Sequence, residues 1–147
     1  MTAKSFKIAM TGDKALDAAL RDIASENGAG SVNKEMRSTT RQAIREIVLP
    51  EVRSEVPAES GLLESELTVK AIARSRQKMG TAVGFRDDLF QGDTFYGGFL
   101  EFGFVHRAGT LVFGESFLRG PLYRNESKIR SFVMRRLRAW VKSRRRK

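Results

Sequence analysis

The chain has 147 residues and a mass of 16.5 kDa, a length typical of one folded domain. It contains no cysteine, which excludes disulfides, cysteine-ligated metal centres and thiol catalysis. Its net charge of +10 is unevenly placed, because residues 119–147 hold 12 basic and 1 acidic side chains while the preceding residues are almost neutral. This distribution predicts a C-terminal segment that meets an anionic partner.

The first ten residues do not resemble a signal peptide. They include Lys4 and Lys7 and lack an apolar run of signal-peptide length. The longest apolar stretches elsewhere are a few residues, well short of the roughly 18–20 that span a bilayer. We therefore expect a soluble protein that is intracellular when made and has no membrane partner.

Apolar periodicity predicts one strand and two helices in the N-terminal half. Residues 5–10 alternate apolar and polar side chains, as a short strand does. Asp13 is placed to cap a helix that ends near residues 27–30, and Ser31 is placed to cap a second helix. The second helix keeps its apolar residues on one face over about 25 residues, and Pro50 predicts a kink or an end near Leu49.

The C-terminal half predicts a small antiparallel sheet and one more helix. Residues 67–73 alternate apolar and polar side chains, which predicts a half-buried strand, and residues 81–85 are predicted to form its partner strand. Residues 107–115 read as a loop or a short hairpin, and residues 117–122 lead into a final helix over about residues 123–142.

This order of elements predicts an α+β fold. It comprises an N-terminal strand and two helices, the second of them long, a small antiparallel sheet, and a C-terminal amphipathic basic helix. We expect a single α+β domain over residues 1–142. Residues 143–147 carry no apolar side chain and are expected to form a basic disordered tail.

Aromatic residues are concentrated between Phe85 and Tyr123, where ten of the thirteen occur. A hydrophobic core accounts for many of them. Ten large apolar groups in one loop-rich stretch exceed what a small sheet covers, so we expect some to form a subunit interface. The candidate interface residues are Tyr96, Phe99, Phe102, Phe104, Phe113 and Phe117.

The sequence shows no constellation typical of an enzyme. His106 is the single histidine, so no zinc motif is formed, and a surface-loop or interface position is expected for it. Glu101 lies among Phe99, Leu100 and Phe102, and a carboxylate buried there must pair, most cheaply with an arginine. A structural ion pair fits Glu101 better than acid catalysis, and no cofactor or metal is expected.

The C-terminal helix has an apolar stripe and a cationic side. Four interpretations of this pattern are possible. The charges are solvated on a docked helix, or they contact DNA phosphates, an acidic protein surface or an anionic membrane. The candidate contact residues for DNA or a partner are Arg135, Arg138, Lys142, Arg144, Arg145, Arg146 and Lys147.

Three short blocks occur in the order that is typical of one protein family. Residues 57–63 read Pro-Ala-Glu-Ser-Gly-Leu-Leu, residues 96–104 read Tyr-Gly-Gly-Phe-Leu-Glu-Phe-Gly-Phe, and residues 117–122 read Phe-Leu-Arg-Gly-Pro-Leu. With this layout the chain resembles the neck and tail-completion proteins of long-tailed bacteriophages, the lambdoid gene-ten-like tail-component family. Gly97 and Phe104 stand where the family usually has alanine and threonine.

The resemblance implies a structural, non-catalytic virion protein of the head–tail junction. Such proteins form homo-oligomeric rings, commonly hexamers, around the DNA channel. The implied partners are further copies of the chain, head-closure or connector proteins, and tail-terminator or tail-tube proteins, with non-specific DNA contact. The implied location is the virion neck or tail, after assembly in the host cytoplasm.

The matched blocks also suggest a specific ion pair. Glu101 and Arg119 belong to two of the blocks and both lie in apolar company, so we expect them to pair and to fix residues 96–103 against the entry of the last helix. An alternative function is a sequence-independent nucleic-acid-binding protein that uses the basic C-terminal helix and tail.

Overall fold

The computed structural model describes residues 14–57, 61–72, 80–86, 92 and 95–144. The predicted strand over residues 5–10, the cap at Asp13 and the end of the basic tail, residues 145–147, lie outside the described residues. The described part combines helices with two small antiparallel sheets, which confirms the α+β class.

The first two helices contact each other and are joined by one glycine. α1 spans Lys14–Asn27 and α2 begins at Ala29, so the prediction that Ser31 caps α2 is wrong. Gly28 adopts φ 80°, a left-handed conformation that lets the chain turn within one residue. Ser31 therefore lies inside the first turn of α2, where its hydroxyl donates back to the Gly28 carbonyl at 3.1 Å.

Pro50 changes the geometry of the long helix without ending it. α2 spans Ala29–Ala43, a π-helical segment covers Ile44–Val48, and α3 spans Leu49–Glu55. The Leu49 N–H donates to the Ile44 carbonyl, five residues back, so the turn before the proline is widened. The widened turn accommodates the proline ring, so the helical stretch continues past Pro50 with a π-helical disturbance where a kink or an end was expected.

The predicted strands are confirmed over residues 67–71 and 81–85; Ile72 lies beyond the end of the first strand, and residue 73 lies outside the described residues. A short helix, α4 at Leu62–Glu66, precedes β1 at Leu67–Ala71, and β1 pairs in antiparallel with β2 at Thr81–Phe85. The hydroxyls of Thr40 and Thr81 lie 3.2 Å apart and connect α2 to β2.

The remaining elements follow β2 in close succession. They are α5 (Gly97–Phe102), β3 (Gly103–Val105), β4 (Leu111–Phe113), α6 (Arg119–Arg124) and α7 (Glu126–Arg144). β3 and β4 form a second antiparallel pair, so the stretch around residues 107–115 is a hairpin. The helical turn α5 was not predicted from the sequence.

The final helix differs from its prediction at both ends. It begins at Glu126, because the helix is interrupted at buried Asn125. The side-chain amide of Asn125 donates to the Pro121 carbonyl at 2.8 Å. The final helix continues through Arg144, so Ser143 and Arg144 are helical and the predicted disordered tail does not begin at 143. The last turn is stabilised where the Ser143 hydroxyl donates to the Trp140 carbonyl at 2.7 Å.

The core lies where α1, α2 and α7 pack together and continues beneath the first sheet. Apolar side chains spaced three or four residues apart on these helices are buried, as their sequence periodicity predicts. At the other end, Phe85 of β2 contacts Phe117, with ring centroids 6.1 Å apart. The fully buried side chains at that end include Leu63, Phe85, Phe117 and Leu118.

The packing of α5 on β2 leaves no room for a side chain at Gly97. A Cβ there would overlap the Phe85 ring and press on Leu63, whereas a Cβ at Gly84 meets nothing within 4 Å. We expect Gly97→Ala to lower the free energy of unfolding by about 1–3 kcal/mol, because overpacking shifts core side chains. Gly84→Ala is the control and is expected to leave stability unchanged or slightly raised in urea denaturation. Equal effects of the two variants would contradict the close contact.

Candidate functional site

Glu101 is the most deeply buried charged residue among those described, with no exposed side-chain area. It lies near the end of α5, and its carboxylate reaches the start of α6. One oxygen accepts from the Leu118 N–H at 2.8 Å, and the other accepts from the Arg119 N–H at 3.2 Å. These amides belong to the N-cap residue Leu118 and to Arg119, the first residue of α6, and such amides lack acceptors within the helix. Glu101 therefore caps a helix located 17 residues further along the chain.

The Arg119 side chain completes the environment of this carboxylate. Its Nε lies 3.3 Å from a carboxylate oxygen of Glu101, and its guanidinium also donates to the Ser116 hydroxyl at 2.8 Å. The guanidinium covers the Phe102 ring at 5.0 Å from the centroid. The structure therefore brings Glu101 and Arg119 together, but backbone amides share the role that the sequence assigned to the arginine alone.

The same junction fixes the base of the β3–β4 hairpin. The Glu115 N–H donates to the Leu100 carbonyl at 2.7 Å, and the Ser116 N–H donates to the Glu101 carbonyl at 3.3 Å. Gly103 adopts φ 80°, and a Cβ there would overlap the Val112 carbonyl oxygen across the hairpin. The chain therefore enters and leaves the hairpin through one tightly packed crossing next to Glu101.

The hairpin itself presents apolar side chains to solvent on both faces. Val105 and Leu111 face each other across the ladder, and Phe113 lies two residues along on the same face. These three side chains are 66%, 56% and 83% exposed. The opposite face carries Phe104 and Val112, and Phe104 leans on Phe99 in an edge-to-face contact.

The structure divides the six predicted interface aromatics into three groups. Phe99, Phe104 and Phe113 are exposed, and Tyr96 and Phe102 are half-buried. Phe117 is 1% exposed and packs on Phe85, so its assignment to an exposed interface is wrong and it belongs to the core. The aromatic count could not separate these groups, because core and surface positions alternate through this stretch.

Sequence reasoning missed the aliphatic half of the exposed hairpin surface. Val105, Leu111 and Val112 are exposed at 39% or more, and none was singled out. The signal for them was two short runs of β-formers around the turn at residues 106–110. His106 lies in that turn and is exposed, with its Nδ1 accepting from the Ala108 N–H at 3.3 Å.

The basic face of α7 lies opposite a buried stripe. Ile129, Val133, Leu137 and Val141 are buried, as predicted, and Trp140 is half-buried. The predicted contact residues Arg135, Arg138, Lys142 and Arg144 are exposed, and Arg145, Arg146 and Lys147 lie outside the described residues.

Two of the α7 cations rest on aromatic rings of their own helix. Arg135 lies over Phe132 at 5.7 Å and Arg144 over Trp140 at 5.5 Å, measured to the ring centroids. Arg130 pairs with Glu126 at 3.5 Å. Three of the seven cations of α7, Arg130, Arg135 and Arg144, are therefore held close to the helix surface.

Within the described ranges, no group of three or more histidine, cysteine or acidic residues is placed to hold a metal ion. No described helix is both long enough and apolar enough to cross a membrane. Comparisons with protein-family models, with curated proteins and with solved structures give no match.

Removing either side of the buried junction is expected to destabilise the protein unequally. Glu101→Ala leaves the amides of Leu118 and Arg119 without acceptors, so we expect a loss of about 2–5 kcal/mol. Arg119→Ala leaves those amides satisfied and is expected to cost about 1–2 kcal/mol. Thermal unfolding measures both, with Arg21→Ala, from an exposed pair with Asp17, as a near-neutral control. Equal losses at positions 101 and 119 would contradict the role of the backbone amides.

The ionisation of Glu101 is expected to couple to stability. Burial raises the pKa of Glu101 above 4.5, although the amides of Leu118 and Arg119 and the charge of Arg119 act in the opposite direction. The folded protein then binds this proton more tightly than the unfolded chain, so the stabilisation is complete below the unfolded pKa and is lost as pH rises through the folded pKa.

The matched variant Glu101→Gln isolates this effect from the other carboxyl groups. We expect the difference in free energy of unfolding between wild type and Glu101→Gln to move in favour of wild type when urea denaturation is done at about pH 4 instead of about pH 7. A difference that is constant with pH, or that moves in the opposite direction, would show that burial does not dominate this pKa.

Proposed function

We propose that this chain is a structural subunit of the head–tail junction of a tailed bacteriophage. In this proposal it assembles as a homo-oligomeric ring around the DNA channel and joins the capsid connector to the tail. The three motif blocks, at residues 57–63, 96–104 and 117–122, suggest the family. The observation that carries the proposal is the exposed apolar face of the β3–β4 hairpin.

The outer hairpin face is defined by Val105, Leu111 and Phe113, and its exposure to water is energetically unfavourable. Each of its side chains is more than half exposed, and together they form a contiguous apolar surface on a rigidly based ribbon. Burying such a surface against a neighbour is favourable by roughly 25 cal/mol per Å² of apolar area. Self-association of the chain would bury this surface.

A closed ring requires a second patch on each subunit that differs from the first. Apart from the hairpin residues and Phe99, which packs on the hairpin, two large hydrophobic side chains of the described residues are exposed. They are Phe95 and Tyr123, with exposed fractions of 54% and 55%. We propose that they belong to the surface that receives the outer hairpin face of the next copy. This head-to-tail arrangement uses each surface once and closes if the rotation between copies is correct.

The basic face of α7 suits contact with the neighbouring layers of the junction. Arg135, Arg138 and Lys142 stand exposed on the side of α7 opposite its buried stripe, and Arg144 is exposed at the end of the helix. In the proposal this face meets an acidic surface on a connector, tail-terminator or tail-tube protein. The partner is then selected by charge and the ring contact by apolar area.

A second candidate function is sequence-independent nucleic-acid binding through α7. The observation in favour is the same row of exposed cations at the C-terminal end of the chain. Phosphate contacts of this kind require no base recognition, and their strength falls steeply with salt.

Ring assembly is tested on the outer hairpin face. We expect the wild-type chain to form a concentration-dependent oligomer in light scattering, and rings in negative-stain micrographs. The triple variant Val105→Thr, Leu111→Thr, Phe113→Thr should remain at the monomer mass of 16.5 kDa. Threonine keeps the strand propensity and removes the apolar ends of the side chains.

The control is the single substitution Val112→Thr. Val112 lies on β4 between Leu111 and Phe113, and its side chain points to the opposite face of the hairpin. This variant should assemble as the wild type does. Because the three substituted side chains are exposed, the triple variant should keep its melting temperature within the small range of surface substitutions. A wild-type chain that is monomeric at every concentration, or a triple variant that still assembles, would refute the proposed ring contact.

A further inference from the structure

The outer face of α2 and of the π-helical segment that continues it carries a row of four cations, which lies outside the C-terminal basic segment. Lys34, Arg37, Arg41 and Arg45 are spaced three, four and four residues apart, and all four are exposed. This spacing places them on one side of the helix, opposite the buried residues Val32, Thr39 and Ala43. We call these four residues the α2 cation row.

No carboxylate of the described residues forms an ion pair with the α2 cation row, since none of its members is among the salt bridges found within 4 Å. The acidic residues of the same helical stretch are engaged elsewhere. Glu35 accepts from the Thr39 hydroxyl at 3.4 Å, and Glu46 accepts from the Gln42 side chain at 2.6 Å. The positive charge of the row is therefore not neutralised by its own helix.

This arrangement differs from that of α7. There, Arg130 pairs with Glu126, and Arg135 and Arg144 lie over aromatic rings. The α2 cations line a surface groove together with small or uncharged polar residues, Gly30, Asn33, Ser38 and Gln42. Of the two basic helices, α2 offers the less encumbered site for an external anion.

We propose that the α2 cation row binds the phosphate backbone of duplex DNA without reading its sequence. From Lys34 to Arg45 the helix advances about 16 Å, at 1.5 Å per residue. Successive base pairs of a duplex rise about 3.4 Å, so the row spans about five of them. The helical stretch is docked to the core through its opposite face, so it presents these cations on a packed support.

The residues around the row favour this ligand over the other polyanions. An amphipathic helix that lies on a membrane needs an apolar face toward the lipid, and the groove has no large apolar side chain. Single-stranded nucleic acid is held by stacking on aromatic rings, and the groove has none. A protein interface has an apolar centre, which this face also lacks.

The proposal predicts a specific salt dependence. Four neutralised phosphates contribute a slope of about −3.6 to the plot of log binding constant against log salt concentration. Between about 50 and 200 mM salt, this contribution weakens binding roughly 100-fold. This site does not require ring assembly, so its test is separate from that of the ring.

The test compares two variants that lose the same charge from different helices. In one, Lys34, Arg37, Arg41 and Arg45 are changed to glutamine; in the other, Arg135, Arg138, Lys142 and Arg144 are. Glutamine preserves helix propensity in both. Binding to a fluorescent random duplex of about 20 base pairs is measured by anisotropy across the salt range, and light scattering verifies that both variants keep the wild-type mass.

We expect the α2 variant to lose at least about tenfold in affinity at low salt and to have a slope less steep by about 3–4, and the α7 variant to change the slope by less than about 1. Equal losses would show that net charge alone matters and would overturn the proposal. Loss only in the α7 variant would overturn it and favour the second candidate function. Wild-type binding to poly-glutamate or to phosphatidylserine vesicles, without binding to the duplex, would also overturn it.

Discussion

The buried residue Glu101 connects three segments of the chain: α5, the start of α6 and the end of the β3–β4 hairpin. Glu101 lies near the end of α5, and its carboxylate accepts hydrogen bonds from the N–H groups of Leu118 and Arg119 at the start of α6. Its backbone carbonyl accepts from the Ser116 N–H, where the chain leaves the hairpin. Removing this charge from water is unfavourable, and two backbone amides and the Arg119 guanidinium offset part of that free energy. This buried group and the Glu115–Leu100 backbone bond together position the hairpin relative to the core.

That constraint explains how a short ribbon can carry an exposed apolar face. An isolated two-stranded hairpin is marginally stable in water, and β3 and β4 have only three residues each. The tight crossing at Gly103 and the bonds to Leu100 and Glu101 hold the base of the ribbon, so its outer part need not pack on the core to keep its shape. Stability comes from the junction, and the free face of the hairpin is left for a neighbour.

The two basic helices use the same architecture for different surfaces. Each is docked by an apolar stripe and turns its cations outward, which keeps the charges in water while the helix contributes to the core. On α7 two arginines lie over aromatic rings of the same helix, whereas the α2 cation row lines its groove with polar or small neighbours only. Segment charge alone therefore does not identify the most available cationic surface, because α2 belongs to the almost neutral part of the sequence.

The sequence by itself determined the α+β class, the helical faces of α1, α2 and α7, the strands β1 and β2 and the disturbance at Pro50, since local periodicity and proline chemistry are encoded within a few residues. It also marked Glu101 and Arg119 as partners. Only the tertiary structure decided that backbone amides share that carboxylate, that Phe117 is core while Phe113 is surface, and that the aliphatic side chains of the hairpin are exposed. These outcomes depend on contacts between residues far apart in the chain, which no local pattern specifies.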